Sequence, residues 1–175
     1  MNSPLRIQPL SREAILSHAD ALSAILENCV HGGASVSFML PFSSEKARAF
    51  WRGVADSVGR DERVVLACID EQDGIIGTVQ LITNLPENQP HRADVAKLLV
   101  HEKARRKGAA RALMEGLEAI AREKGISVLV LDTATGSGAE TFYQRAGWQK
   151  AGEIPRYALM PDGAMTATSV FYKFL

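Results

Sequence analysis

The sequence predicts an α/β chain (α+β by the alternative convention) built on a mixed central β-sheet of six to seven strands flanked by about four helices. Three observations carry this. Val128 to Leu131 is a short, nearly pure apolar run, the mark of a strand covered on both faces. It follows an apolar strand at Ala93 to Val100 and an amphipathic helix at Ala109 to Glu123. Strand, helix and strand at this spacing make a βαβ crossover between parallel strands. Short turns on either side of the crossover require antiparallel pairs, so the sheet is mixed. At 175 residues the chain suits one domain, 1–175, with a sizeable core.

The elements follow in order. A strand at Leu5 to Gln8 opens the chain. Ser11 caps a helix that places Ile15, Ala19, Leu22, Ile25 and Leu26 on one face and stops at Gly32-Gly33. Ala47, Phe50, Trp51, Val54 and Val58 recur at helical spacing and predict a second helix over Ser44 to Val58. Strands at Val64 to Ile69 and Ile75 to Ile82 form a hairpin about Gln72-Asp73-Gly74. Asn84 to Pro90, with prolines at 86 and 90, reads as an exposed loop. The crossover helix buries Leu113, Leu117 and Ile120. Ser137 and Glu140 stand at capping-box spacing and open a helix through Tyr143 to Ala146. Strands around Gln149 to Ile154 and Thr166 to Phe174, separated by Pro161-Asp162-Gly163, close the chain.

Composition excludes several function classes. A chain 46% hydrophobic with few Gly and Pro is neither disordered nor collagen-like. Twenty basic against 20 acidic residues argue against a polybasic partner for nucleic acid or anionic lipid. Cys29 and Cys68 lack metal or disulfide spacing, so no metal is expected. The opening MNSPLRIQPL has no basic region followed by an apolar run, and no apolar stretch reaches membrane-span length. The expected setting is soluble and cytoplasmic.

The chemistry concentrates at 97–114. A strand ends at Leu98-Leu99-Val100, a basic loop follows, and a helix starts near Gly108. A helix N-terminus offers unpaired N–H groups and partial positive charge, which suits a pyrophosphate. Gly108 permits close backbone approach, Ala109 and Ala110 keep side chains small, and Arg105, Arg106, Lys107 and Arg111 add charge. A solvated basic turn before a helix explains the same residues. The segment resembles the acetyl-CoA motif of the GNAT superfamily of N-acetyltransferases, Arg/Gln-x-x-Gly-x-Gly/Ala, here Arg105, Gly108 and Ala110. The order of elements also resembles that family, over most of the chain. The resemblance implies the GNAT fold and acetyl-CoA as cosubstrate, its pantetheine on the Leu98 to Val100 strand edge and its pyrophosphate on the loop amides. Arg106 and Ala110 stand where glycines are frequent, and Ser137 where many relatives carry a cofactor-contacting asparagine.

Gly136 to Trp148 resembles the family's closing segment, in which a helix carries a tyrosine shortly before Gly-Phe or Gly-Trp. Tyr143 holds that position, which implies a proton donor to the departing thiolate. A core tyrosine beside Phe142 is the other reading. A primary amine must lose a proton before it attacks, and Asp94 or Asp132, on strands that separate toward the cleft, is the candidate base. A salt bridge to Arg92 or a solvent-facing position accounts for Asp94 equally, and a turn cap for Asp132. At the acceptor end, His31, Ser35 and Phe38 lie in a glycine-containing loop. That loop resembles members of the family that acetylate an amino-acid-like toxin, which implies a small amine acceptor held between it and Ile154 to Tyr157. Arg92 or Arg156 is the expected anchor for an acceptor carboxylate. Neither cysteine has a His/Asp partner, so direct attack is expected in place of an acyl-cysteine. A protein or peptide acceptor, or a noncatalytic acyl-CoA-binding role, also fits the motif. The apolar Val170 to Leu175 strand either completes the sheet or pairs between chains in a homodimer.

Overall fold

The computed structural model describes residues 4–175; residues 1–3, part of the run inspected for a leader, lie outside it. Strand β1 (Leu5–Pro9) leads into α1 (Arg12–Ser17), where Ser11 Oγ accepts from Ala14 N at 3.1 Å as the expected cap. The single helix expected here is two. His18 leaves the helical conformation, its backbone N–H and ring Nδ1 both directed at Ala14 O (3.0 and 2.8 Å), and α2 (Ala19–His31) restarts beyond it. Helix α3 (Ser44–Gly59) is capped by Ser43, whose Oγ accepts from Lys46 N. Then come β2 (Arg63–Asp70), β3 (Gly74–Ile82), β4 (Arg92–Val100), α4 (Ala109–Glu123), β5 (Val128–Ala134), α5 (Gly138–Arg145), β6 (Gln149–Leu159) and β7 (Met165–Phe174).

The seven strands form one sheet in the order β1-β2-β3-β4-β5-β7-β6, with β4 and β5 parallel and every other pair antiparallel. Helices α1 to α3 cover one face over Leu22, Ile25, Trp51 and Val65. Helix α4 covers the other over Leu81, Val95, Leu113, Leu117 and Leu129, with α5 contributing Tyr143 to the same cluster. Strand β5 runs past Leu131, so Asp132 and Thr133 are strand residues opposite Val170 and Ser169, and Asp132 is not a turn cap. Strand β6 likewise runs through Pro155, which an edge strand tolerates because its N–H side needs no partner.

Two irregularities in β4 shape the middle of the sheet. Its pairing with β5 covers only Arg92 to Asp94 against Val128 to Val130; beyond that the strands splay apart. Its pairing with β3 also slips: β3 advances from Thr78 to Gln80 while β4 runs back from Leu99 to Ala96. The additional residue is a bulge, and Lys97 carries it at φ +55°. A side-chain period of two means that one inserted residue reverses the pattern. Ala93 and Val95 pack on the α4 face, and so do Leu98 and Val100, while Leu99 packs under α1 to α3.

Gly77, which pairs with Val100 two residues before the bulge, has no room for a side chain. A Cβ on Gly77 would lie 3.0 Å from Leu99 O and 3.2 Å from Leu113 Cδ1. Gly77→Ala is therefore expected to cost about 1–3 kcal/mol and to lower Tm by roughly 2–12 °C. Gly53→Ala, in α3 with nothing within 4 Å of its Cβ, should leave Tm equal or slightly higher. A thermal melt of both variants checks the pair.

Candidate functional site

Helix α4 begins at Ala109, and its first backbone bond runs from Ala112 N to Gly108 O at 3.0 Å. The N–H groups of Ala109, Ala110 and Arg111 precede that bond and open from the helix end. Gly108 stands there at φ +82°, with nothing within 4 Å of the position its Cβ would take. This is an open cradle at a helix N-terminus, which fits the pyrophosphate of acetyl-CoA. Helix α2 braces the loop: Asn28 Oδ1 accepts from Glu102 N at 2.9 Å, and Cys29 Sγ donates to Val100 O at 3.6 Å. Asn28 carries no sequence motif for this role.

The four basic residues divide. Arg105 and Arg106 are exposed and in no ion pair among the described residues. Lys107 Nζ sits 3.1 Å from Asp73 and 3.9 Å from Asp70, and Arg111 Nε 2.9 Å from Glu115. Their charge is neutralised locally, so Lys107 braces the β2–β3 turn and Arg111 the first turns of α4.

Where β4 and β5 splay, a groove of about 400 Å³ opens, continuous with a second hollow of about 240 Å³. The larger part is lined by Ser35, Ser37, Lys97, Asp132, Tyr157 and Thr168. The smaller is lined by Leu98, Leu131, Ser137, Ala139, Tyr143 and Met160, with Lys97 and Asp132 common to both. The 33–39 loop and the β6–β7 turn meet at its rim, where Leu40 N donates to Pro161 O at 2.9 Å.

Asp132 is exposed, and its Oδ2 accepts from Thr168 Oγ1 at 2.7 Å. Tyr143 is buried, its ring edge-on to Phe142 and Trp148 and tilted against Phe171, yet it borders the smaller hollow. It is both a core residue and a site wall. Burial pushes its phenol up to about 12, so it keeps its proton at neutral pH. Ser137 makes no side-chain cap, its Oγ lying 3.4 Å from Thr133 Oγ1, while Glu140 reaches back to Gly136 N (2.7 Å) and lies 3.1 Å from Lys150 Nζ. The Ser169 hydroxyl, the Gly136 N–H and Lys150 hold that carboxylate down to about 2.

Other candidates lie elsewhere. Asp94 and Arg92 are ion-paired, and the Arg92 guanidinium also donates to Gln89 Oε1 at 2.8 and 2.6 Å. The two sit where β4 and β5 are still paired, outside both hollows, although Asp94 lines a neighbouring hollow of about 300 Å³ that shares Asp132, Tyr157 and Thr168 with the groove. Of the two carboxylates, only Asp132 lies in the groove. Arg156 is exposed at φ +53° and does not line it, whereas its neighbour Tyr157 does. Phe38 packs on Phe42 and Phe50 at 4.8 and 5.4 Å, and His31 ends α2 edge-on to Phe42, so both support the loop without reaching the groove. Ser35 alone of the loop trio lines it. Both cysteines are buried, and Cys68 is pushed up to about 11 by burial and by Asp70. Among the described residues, no three His, Cys, Asp or Glu side chains cluster to hold a metal, and no helix is long and apolar enough to cross a membrane.

Sequence reading missed three groove residues that the structure brings together, Ser37, Thr168 and the charged Lys97. Lys97 lies half-buried in an otherwise apolar strand end, its Nζ 3.1 Å from Ser37 Oγ and 5.9 Å from the Phe50 ring centre. A lone charge within Val95 to Val100 was the available signal.

Known proteins resemble this chain in sequence or in fold. Human N-acetyltransferase 8 is 32% identical over 113 residues, 64% of this chain and 43% of the human protein, so the match spans under half of that relative. The ribosomal-protein-alanine N-acetyltransferase of Brucella melitensis superposes with a TM-score of 0.79 at 22% identity, over 97% of this chain and 99% of its own. A structure provisionally described as a phosphinothricin N-acetyltransferase gives the same TM-score at 18% identity, over 98% and 99%. These two likenesses show the fold. The model of the acetyltransferase (GNAT) family matches residues 31–148, which contain the loop, the bulged strand, the cradle at α4 and Tyr143; the chain belongs to that family.

Proposed function

We propose that the chain transfers the acetyl group of acetyl-CoA to the primary amine of a small amino acid or amino-acid-like antimetabolite, by direct attack. The observation that carries this is the roof over the groove. The Leu40 to Pro161 hydrogen bond joins the 33–39 loop to the β6–β7 turn, which favours a compact acceptor over an extended peptide. The resemblance of the His31 to Val36 run, Asp132-Thr133, Gly136-Ser137 and Pro161-Asp162-Gly163 to the tabtoxin resistance protein, a toxin acetyltransferase, supports the same acceptor class.

Bound acetyl-CoA supplies an activated acyl group, a thioester open to an amine. The strand edge at Leu98 to Val100, the amides at Gly108 to Ala110 and the free cations Arg105 and Arg106 are the residues that would hold it. Asp132, fixed by Thr168, accepts a proton from the acceptor's ammonium directly or through a water, which exposes the nitrogen lone pair. Tyr143 presents a phenolic O–H at the buried end, where a hydrogen bond to sulfur eases thiolate departure.

An acetyl-transfer screen over free amino acids, amino-acid analogues and peptides, with acetyl-CoA as donor, tests this. Turnover of small amines with peptides inert is the expected result. Turnover of peptides alone would move the acceptor class to proteins. Binding of acetyl-CoA without transfer to any amine would leave a noncatalytic domain.

A further inference from the structure

We infer that Lys97 and Asp132 together read the zwitterion of an α-amino acid, Lys97 holding the acceptor's carboxylate and Asp132 its ammonium. The inference rests on the acetyl transfer proposed above and narrows its acceptor. Among the described residues lining the groove, these two are the only charged side chains, and Asp94, on the neighbouring hollow, is already paired with Arg92. They come from the two strands that splay apart, so opposite charges stand on opposite sides of one cleft.

Lys97 reaches the groove only because the chain bulges there. Ala96 and Leu99 flank the register slip, and Lys97, between them, adopts φ +55°, a conformation that residues with a Cβ rarely take. Strain of this kind persists where the surroundings fix it, and often marks a functional position. The ammonium then lies against Ser37 Oγ and the Phe50 face, in no ion pair among the described residues. An ammonium has three donors, and Ser37 takes one. Arg63 is the other cation whose charge acts on Lys97, and it is tied to Ser57 Oγ at 2.9 Å and Gln80 Oε1 at 2.8 Å. Burial and Arg63 lower the Lys97 pKa, while Asp132 raises it. A half-buried cation with spare donors and no contacting anion favours an anionic ligand. A carboxylate matches that need, and Arg92 and Arg156, the cations that the sequence suggested for it, lie outside the groove.

The same cleft explains why the carboxylate would not simply be repelled by Asp132. The acceptor carries its own ammonium, which Asp132 takes up before deprotonation. An ammonium that lacks a carboxylate satisfies Asp132 alone, and leaves Lys97 without a partner.

The probes are the twenty free L-amino acids and their carboxamides, which keep the amine and remove the negative charge. Wild type should prefer the best free acid over its carboxamide by roughly 10- to 100-fold in kcat/KM, the range expected of a charge-assisted hydrogen bond. Lys97→Met should collapse that preference, chiefly by raising KM for the acid, and Lys97→Arg should retain part of it. Calorimetric titration of coenzyme A-loaded wild type with acid and carboxamide gives the same comparison without any variant. Equal use and equal binding of acids and carboxamides by wild type would overturn the inference while leaving amine acetylation intact. Equal losses for both acceptors in Lys97→Met would also overturn it. Peptides as the only substrates would remove the proposed function itself, and the inference with it.

Discussion

Tyr143→Phe is expected to lower kcat by on the order of 10²-fold, with acetyl-CoA affinity and melting temperature nearly unchanged. The ring packs against Phe142, Trp148 and Phe171, and phenylalanine keeps those contacts. Only the hydroxyl at the hollow is removed. The expected loss lies at the low end of acid catalysis for a stated reason. A phenol at about 12 is a weak donor toward a thiolate whose parent thiol titrates near ~8.5. Complete proton transfer is uphill, and the hydroxyl acts mainly as a hydrogen-bond donor to developing negative charge. The pH dependence follows with its sign. The native state holds this proton above the unfolded value of about 10, so it binds more protons than the unfolded chain between about 10 and 12. Stability from this group is therefore complete below pH ~10 and is lost as pH rises toward 12. At neutral pH the rate should show no limb belonging to Tyr143. A folded Tyr143→Phe protein with wild-type kcat would exclude the residue from catalysis and leave water as the donor.

Gly108→Val should weaken acetyl-CoA binding by roughly 10-fold or more, read by calorimetry. The reason is conformational. Gly108 sits at φ +82° and no protein atom lies within 4 Å of its Cβ position, so a clash inside the protein is not at issue. A β-branched residue disfavours the left-handed region, and relaxing out of it turns the amides of Ala109 and Ala110 from their shared direction. Its side chain would also occupy the hollow in front of the helix. Gly108→Asn tolerates that backbone better and should bind more tightly than Gly108→Val. Arg105→Ala removes one charge and spares the amides, so its loss should be smaller and should shrink as salt rises. Equal affinities for wild type and Gly108→Val would remove the cradle from the cofactor site.

Local chemistry set much of this protein, and the sequence displayed that much. The apolar run at Val128 to Leu131, the helical spacing from Ala109 to Glu123 and the hairpin at Gln72-Asp73-Gly74 depend on neighbours a few residues apart, and each became the expected element. The opening at α4 was legible for the same reason, since a helix N-terminus is a local structure. Even local reading missed His18, where a ring nitrogen joins the backbone N–H at one carbonyl and divides a helix. What only the tertiary structure decided concerns pairs of distant strands. Asp94 and Asp132 look alike in sequence, as acids in or after apolar strands. The strands remain paired at Asp94, where Arg92 neutralises it, and have separated by Asp132. The bulge at Lys97 depends on how β4 registers against β3, so no periodicity within β4 places that ammonium in the groove. Whether Phe38 met acceptor or core was fixed by Phe42 and Phe50, and the roof required Leu40 to meet Pro161 across 121 positions of chain. Side-chain direction in a sheet follows register and splay, which are properties of two chain segments together, and one segment read alone does not contain them.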